Sequence, residues 1–298
     1  VFRLQGGMAV TSNGRIRSAQ ANENVVNVRA SVHNELIGGF AWSHPAYSTS
    51  VPAPLSTAEA NRNKIWIAAG SGEFTGRSVC GWSELNDNQI TELRGAANEN
   101  EFSIGGGTLR LTCGGMSQAV NSRTGADSVA RAANRNKVWS KADTLEGDLL
   151  GGSALAWTTD GRAEAAAHEN EMYVNIGTYQ YNIYSGSAEA ASENGSAVAQ
   201  ATKNYLSTET NVMQDIMGGL ASAEAKGTFD VLASENLLSL RGGARSFIGG
   251  YAEGTQRDSG TYVLQSTGTA NENSMEIRST GTFTDKSAGG YVHITANN

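Results

Sequence analysis

The chain has 298 residues, a formal charge of −7, 17% charged residues and 36 glycines against 3 prolines. Lys and Arg are dispersed with no basic stripe, which argues against a nucleic-acid partner. No apolar run reaches the ~18 residues that a membrane-crossing helix needs.

An asparagine recurs along the chain, each time with alanine three residues before it and an apolar residue two residues after it. The anchors are Asn24, Asn63, Asn100, Asn136, Asn170, Asn204, Asn236 and Asn273, at intervals of 39, 37, 36, 34, 34, 32 and 37 residues. The alanines are Ala21, Ala60, Ala97, Ala133, Ala167, Ala201, Ala233 and Ala270. Self-similarity at this period marks one unit stacked on copies of itself. The opening VFRLQGGMAV resembles the middle of a repeat, and the closing ITANN stops where another anchor would be due. Residues 1–298 are therefore expected to form one continuous solenoid with incomplete terminal repeats.

The first element of each unit starts at the anchor, as in NENVVNV, NRNKIWI and HENEMYV. Two and four residues on come apolar or small positions, such as Val26 and Val28, Ile65 and Ile67, or Phe102 and Ile104. Three residues on the type is mixed, including Asn27, Trp66, Ser103, Trp139 and Tyr173. This period of two predicts a strand with one buried face.

The second element holds a Gly-Gly pair or its remnant, as in LIGGFAW, VCGWSEL, LLGGSALAW and FIGGYAEG. Glycine inside a strand pattern signals a bulge or a close backbone approach. Two residues past the pair stand Ala41, Ser83, Ser117, Ala154, Ala188, Ala221, Ala252 and Val292, all but the last small, so two walls of the core are expected to meet there. The third element is alanine-rich, as in RAEAAAHEN and SAVAQATKN. Its small-polar alternation over some seven residues predicts a strand, since so short a helix would be marginal.

The expectation is an all-β parallel β-solenoid (β-helix) of about eight coils of 32–39 residues, with three short strands per coil. The length variation falls in loops such as SHPAYSTSVPAPLSTAEA. Two shorter coils per repeat is the alternative, because the glycine pair nearly bisects the unit. The anchors are expected to hydrogen-bond along the stack as a polar ladder; the rival role is turn-filling by left-handed asparagine.

The A-x-N-x-V-x-I pattern, followed by a Gly-rich turn and I-G-G-x-A-x-A, resembles repeats in the passenger regions of bacterial autotransporters and related secreted surface proteins. The resemblance spans LQGGMAV to GGYVHITANN. It implies a stacked architecture in an extracellular or cell-surface setting, where such chains serve as adhesins, spacers or enzyme carriers.

Residues suited to chemistry are sparse. His33, His44, His168 and His293 lack metal-ligand spacing, and His168 stands in a slot that holds asparagine in other repeats. Glu23, Glu99, Glu169, Glu235 and Glu272 precede anchors and are interspersed with Arg62, Arg135 and Lys203, which points to surface electrostatics. Cys80 takes a first-glycine slot and Cys113 the position before a pair, read as inward; their opposite faces predict no disulfide. Trp66, Trp139 and Tyr173 share an outward slot, where a loop of the chain, a neighbouring subunit or a glycan could cover them. Asn194-Gly195-Ser196 forms a glycosylation sequon.

No catalytic residue, cofactor or metal is expected. The first functional reading is an extracellular structural rod or filament, continued at its ends by copies of itself or by a longer chain. The second is a glycan-binding adhesin using the outward aromatics. The third is a carbohydrate-active enzyme, which would need a cluster of carboxylates on adjacent coils.

Overall fold

The computed structural model describes residues 3–296 apart from 12–15, 44–52, 70–71, 89, 132–133, 177, 180, 210, 213, 257–265 and 279–284. Ala133, His44 and part of the loop after Trp42 fall outside the described residues. The described residues form strands and turns without a helix, so no helix is long and apolar enough to cross a membrane.

Three parallel sheets run the length of the molecule. The anchor sheet has eight strands, from Val25–Val28, Lys64–Ile67 and Glu101–Ile104 to Ser274–Ile277. The glycine sheet has nine, from Arg3–Thr11 and Glu35–Ser43 to Ser287–Ala296. The alanine sheet has eight, from Ile16–Gln20 and Ala53–Glu59 to Thr267–Thr269. The fold is thus a parallel β-solenoid with three strands per coil. Short two-residue strands such as Phe74 with Glu73, and Leu109 with Thr108, add a small extra sheet over the middle coils.

Register follows the repeat. Phe102 pairs with Ile65 on one side and Val138 on the other, one full repeat away in each direction. Gly115 pairs likewise with Gly81 and Gly152. A coil of half that length would pair each strand with the other half of its own repeat, so the bisected alternative is excluded.

The interior has two compartments, set by side-chain size. Large residues (Ile65, Phe102, Val138, Met172, Leu206 and Leu238) fill the wide one behind the anchor sheet, with Leu36, Leu149 and Phe247 opposite. Alanines fill the narrow one, where Ala41, Ala154, Ala188, Ala221 and Ala252 of the glycine sheet face Ala58, Ala163, Ala165, Ala197 and Ala199. The two walls do meet at the small residues. Val292, the larger exception, lies in the last coil and is 42% exposed.

The position before the glycine pair corrects one expectation. Ile37, Val79 and Cys113 are buried, but in a third cluster with Phe40 and Trp82 on the outer side of the glycine sheet. The cause is a bulge at the pair. Ladder pairing skips the first glycine, so both glycines turn inward and the residue before them turns out. Cys80 is therefore the inward cysteine and Cys113 the outward one. They remain unbonded, as the opposite faces require.

Candidate functional site

Each anchor sits at the junction of the two compartments. From Asn63 to Asn236 the anchors are completely buried. Their amides form a chain through all seven steps, with Nδ2 donating to the next anchor's Oδ1 at 2.8–3.1 Å. The same Oδ1 accepts the preceding anchor's backbone N–H, at 3.0 Å from Asn100 to Asn136 and 3.1 Å from Asn136 to Asn170. The second Nδ2 hydrogen goes back one coil to an alanine carbonyl, as from Asn204 to Ala167 and from Asn236 to Ala201, both at 3.0 Å. Asn204 thus uses both donors and both acceptor sites of its amide, which is what burial of a polar group demands.

Space for the amides comes from the second glycine of each pair. A Cβ at Gly115 would stand 2.5 Å from Asn136 Oδ1, and one at Gly186 would stand 2.6 Å from the Asn204 amide. The first glycine admits a small side chain at two coils, in the same way each time. Cys80 Sγ reaches the carbonyls of Asn63 and Glu101 at 3.1 and 3.2 Å; Ser185 Oγ reaches those of Asn170 and Tyr205 at 3.2 and 2.7 Å. Burial pushes both thiols up, Cys113 to about 12, so neither is a poised nucleophile.

The left-handed residue of each repeat is the one before the anchor, not the anchor itself. Glu23, Arg62, Glu99, Arg135, Glu169, Lys203, Glu235 and Glu272 all have φ between 54° and 62°. Their side chains run along the outside, where Arg62 meets Glu23 at 2.6 Å, Arg135 meets Glu99 at 3.0 Å and Lys203 meets Glu235 at 3.8 Å. The pairs are solvent-exposed, so each adds little stability. Among the described residues, no three His, Cys, Asp or Glu side chains converge as a metal site would need.

A second ladder lies two residues before the anchors and runs the opposite way. Asn22, Asn61, Asn98 and Asn134 each accept, through Oδ1, the backbone N–H of the same slot one coil later, at 2.7–3.2 Å. His168 takes its place in this row, its N–H donated to Asn134 and its ring Nδ1 2.8 Å from Thr202 Oγ1. Its burial lowers its pKa, an effect partly opposed by Glu169. The recurring Asn22, Asn61, Asn98, Asn134 and Asn271 carried the signal for this ladder in the sequence.

Trp66, Trp139 and Tyr173 are 41%, 38% and 40% exposed, so among the described residues no loop covers them. Only Trp139 and Tyr173 come together, on adjacent coils, with parallel rings 6.4 Å apart. Ser103 separates Trp66 from them. Tyr205, which the slot pattern missed, extends the pair 5.3 Å beyond Tyr173. Trp139 and Tyr173, with Lys141, Asn175, Ser207 and Glu209, line an open groove of about 210 Å³. Glu209 is held there by Asn175 at 3.2 Å and Arg241 at 3.0 Å. Elsewhere, Asn194 of the sequon is exposed and donates to Asp160 at 2.8 Å.

A buried ion pair also escaped the sequence reading. Arg17 and Asp87 lie 70 residues apart, each 1% exposed in its side chain, with Nη1 2.5 Å from Oδ2. Nearby, the buried Ser43 and Ser56 hydroxyls hydrogen-bond at 2.6 Å. No family model, curated protein or solved structure matches this chain.

Proposed function

We propose that this protein is a non-enzymatic structural rod on or outside a cell surface, built to span distance. The observation that supports this is the saturated asparagine ladder, which ties every coil from Asn24 to Asn273 to its neighbours through one buried column. A chain whose buried anchor asparagines are spent on stacking, and whose sheets run along the whole stack, resists bending and stretching along one axis. The sequence pattern resembling secreted passenger repeats supports the extracellular setting.

Electron microscopy of the purified chain tests the shape. Nine glycine-sheet strands stacked at about 4.8 Å make a stub only about 40 Å long, so stiff particles of that length are expected, and longer flexible ones would reject the rod. Labelling intact cells of the source with an antibody tests the location; signal only after permeabilisation would reject a surface role.

A second reading, glycan binding, is favoured by the exposed Trp139–Tyr173 pair. Flat aromatic faces beside Asn175, Glu209 and Lys141 suit a sugar ring, which offers apolar C–H faces and hydroxyls together. A glycan array with the chain and with Trp139→Ala distinguishes the readings. Binding lost in the variant would add adhesion to the rod, and an empty array would leave the spacer reading alone.

A further inference from the structure

The outward face of the anchor sheet carries a track that is longer than the groove at Trp139. Its middle row runs Trp66, Ser103, Trp139 and Tyr173, one residue per coil in ladder register. Three coil steps separate the outermost aromatics, about 14 Å along the axis. Parallel rings with centroids 6.4 Å apart are offset, so Trp139 and Tyr173 cover little of each other's faces. A second hollow, of about 520 Å³, lies beside Trp66 against Asn27, Arg29 and Ala68. Only the coil of Ser103 and Gly105 stands between the two hollows, and its residues are small.

The flanks of the row are polar. On one side Lys64 meets Glu101 at 2.9 Å and Lys137 meets Glu171 at 3.3 Å. On the other, Glu209 is held by Arg241 and Asn175. Arg29 and Lys141, which meet no carboxylate among the described residues, stand three coils apart on that same side. Asn27 and Ser207 continue the row beyond its aromatics, so no bulky side chain walls off either end of the track.

Building on the glycan-binding reading, we infer that the track holds an internal stretch of a neutral, β-1,4-linked polysaccharide lying parallel to the rod axis. Length, straightness and charge select that ligand. A pyranose ring with its β-1,4 linkage advances by close to one coil height, about 4.8 Å, so four successive rings fall on the four coils from Trp66 to Tyr173. The β-1,4 linkage keeps the chain a straight ribbon with apolar C–H faces for the aromatic rings, whereas an α-1,4-linked chain coils away from a straight track. An acidic polysaccharide with one carboxylate per ring would need a cation at every coil, and the track, on a chain of net charge −7, has one free cation per three coils. A track open at both ends suits the middle of a polymer, where a site for a terminal sugar would be walled.

Titration calorimetry on the full chain tests length, linkage and charge together. The probes are β-1,4-linked oligomers of glucose, mannose, xylose and N-acetylglucosamine, one to six units long. Contrasts are α-1,4-linked glucose oligomers and acidic β-1,4-linked mannuronate oligomers. At least one neutral β-1,4 series is expected to gain tenfold or more in affinity from two to four units and then to level off. Trp139→Ala should weaken every length. Trp66→Ala should weaken the tetramer about tenfold and leave the dimer, seated on Trp139 and Tyr173, unchanged. Both tryptophans are exposed, and circular dichroism checks that the variants fold. A monosaccharide bound as tightly as the tetramer, or a tetramer indifferent to Trp66→Ala, would overturn the track and leave a single-sugar site at Trp139. Tighter binding of the α-linked or the acidic oligomers would overturn the assigned ligand. Hits on the glycan array with no binding of these neutral β-1,4 oligomers would overturn this inference alone, and an empty array would remove the reading beneath it as well.

Discussion

Asn136 accepts two hydrogen bonds from Asn100 through one oxygen and donates to Asn170 at 3.1 Å, all without contact with water. Asn136→Ala therefore strands two donors on Asn100 and leaves Asn170 Oδ1 with only the backbone N–H of its two donors. At about 1–3 kcal/mol for each buried group left unmade, partly relieved by relaxation, a loss of about 3 kcal/mol or more is expected. The same change at half-buried Asn24 should cost clearly less, since water can replace the partner. Urea titrations of the two variants check this; equal losses would mean that the ladder's burial contributes nothing.

His168 supplies a pH signature at the same scale. Burial disfavours its charged form, so its folded pKa lies below the ordinary 6.5. The unfolded chain then binds the proton more readily, and stability is lost as pH falls from about 6.5 through the folded value. Above that window the ring is neutral in both states and contributes no pH dependence. His168→Asn restores the residue found in other coils and should flatten this slope. Melting temperatures between pH 7.5 and 5 should diverge for the two proteins toward the acid end; parallel curves would show that Thr202 and Glu169 tolerate the imidazolium.

At the scale of the strand, the glycine pair sets what each position tolerates. Cys80 and Ser185 occupy equivalent first-glycine slots and bond equivalent carbonyls. Cys80→Ser should therefore change stability by less than about 1 kcal/mol, the scale of one net hydrogen bond. Cys113 Sγ donates to the Gly115 carbonyl at 3.0 Å but lies among Ile37, Val79 and Trp82, so serine can keep that bond while losing apolar contact, and Cys113→Ser should melt somewhat lower than Cys80→Ser. In the narrow compartment Ala188 is fully buried between Ala154 and Ala221 in its sheet. Ala188→Leu should cost about 1–3 kcal/mol by overpacking; an unchanged melting temperature would show slack between the walls.

These elements also show what the sequence could and could not disclose. Period-two alternation placed Ile65, Phe102 and Leu206 inside and Trp139 outside, because a strand carries that information in each consecutive residue. The bulge broke the count. Two adjacent inward glycines shift the phase by one, and glycine has no side chain to reveal which way it faces, so Cys113 was assigned to the wrong side. The anchor ladder was legible because its residue type repeats every coil. The Trp139–Tyr173 groove was half-legible, since the shared slot was visible but the Tyr205 extension comes from a different slot. The Arg17–Asp87 pair was illegible, because neither residue recurs and the contact skips a coil.

That pair matters for the molecule as a whole. A solenoid of near-identical coils could slip by one repeat and still match most of its contacts, and stability spread evenly over the stack does not forbid the slip. A single charged couple breaks that degeneracy. Arg17 stands on the alanine sheet, in register with Ser56 and Leu93, and Asp87 ends a glycine-sheet strand in register with Asn121. Only one alignment of the first coils brings the guanidinium to the carboxylate while two small serines, Ser43 and Ser56, leave room nearby. Removing one member strands a buried charge, so Asp87→Asn or Arg17→Met should each cost about 3–5 kcal/mol. Removing both with apolar replacements, Arg17→Met with Asp87→Leu, should recover most of that loss, because burying two charges is itself expensive. A double-mutant cycle by urea unfolding measures the coupling. If the pair fixes alignment, the double variant should regain stability yet give doubled backbone amide signals for the first coils in NMR spectra, as two registers coexist. A single sharp set of signals at recovered stability would show that the repeat pattern alone holds the coils in line.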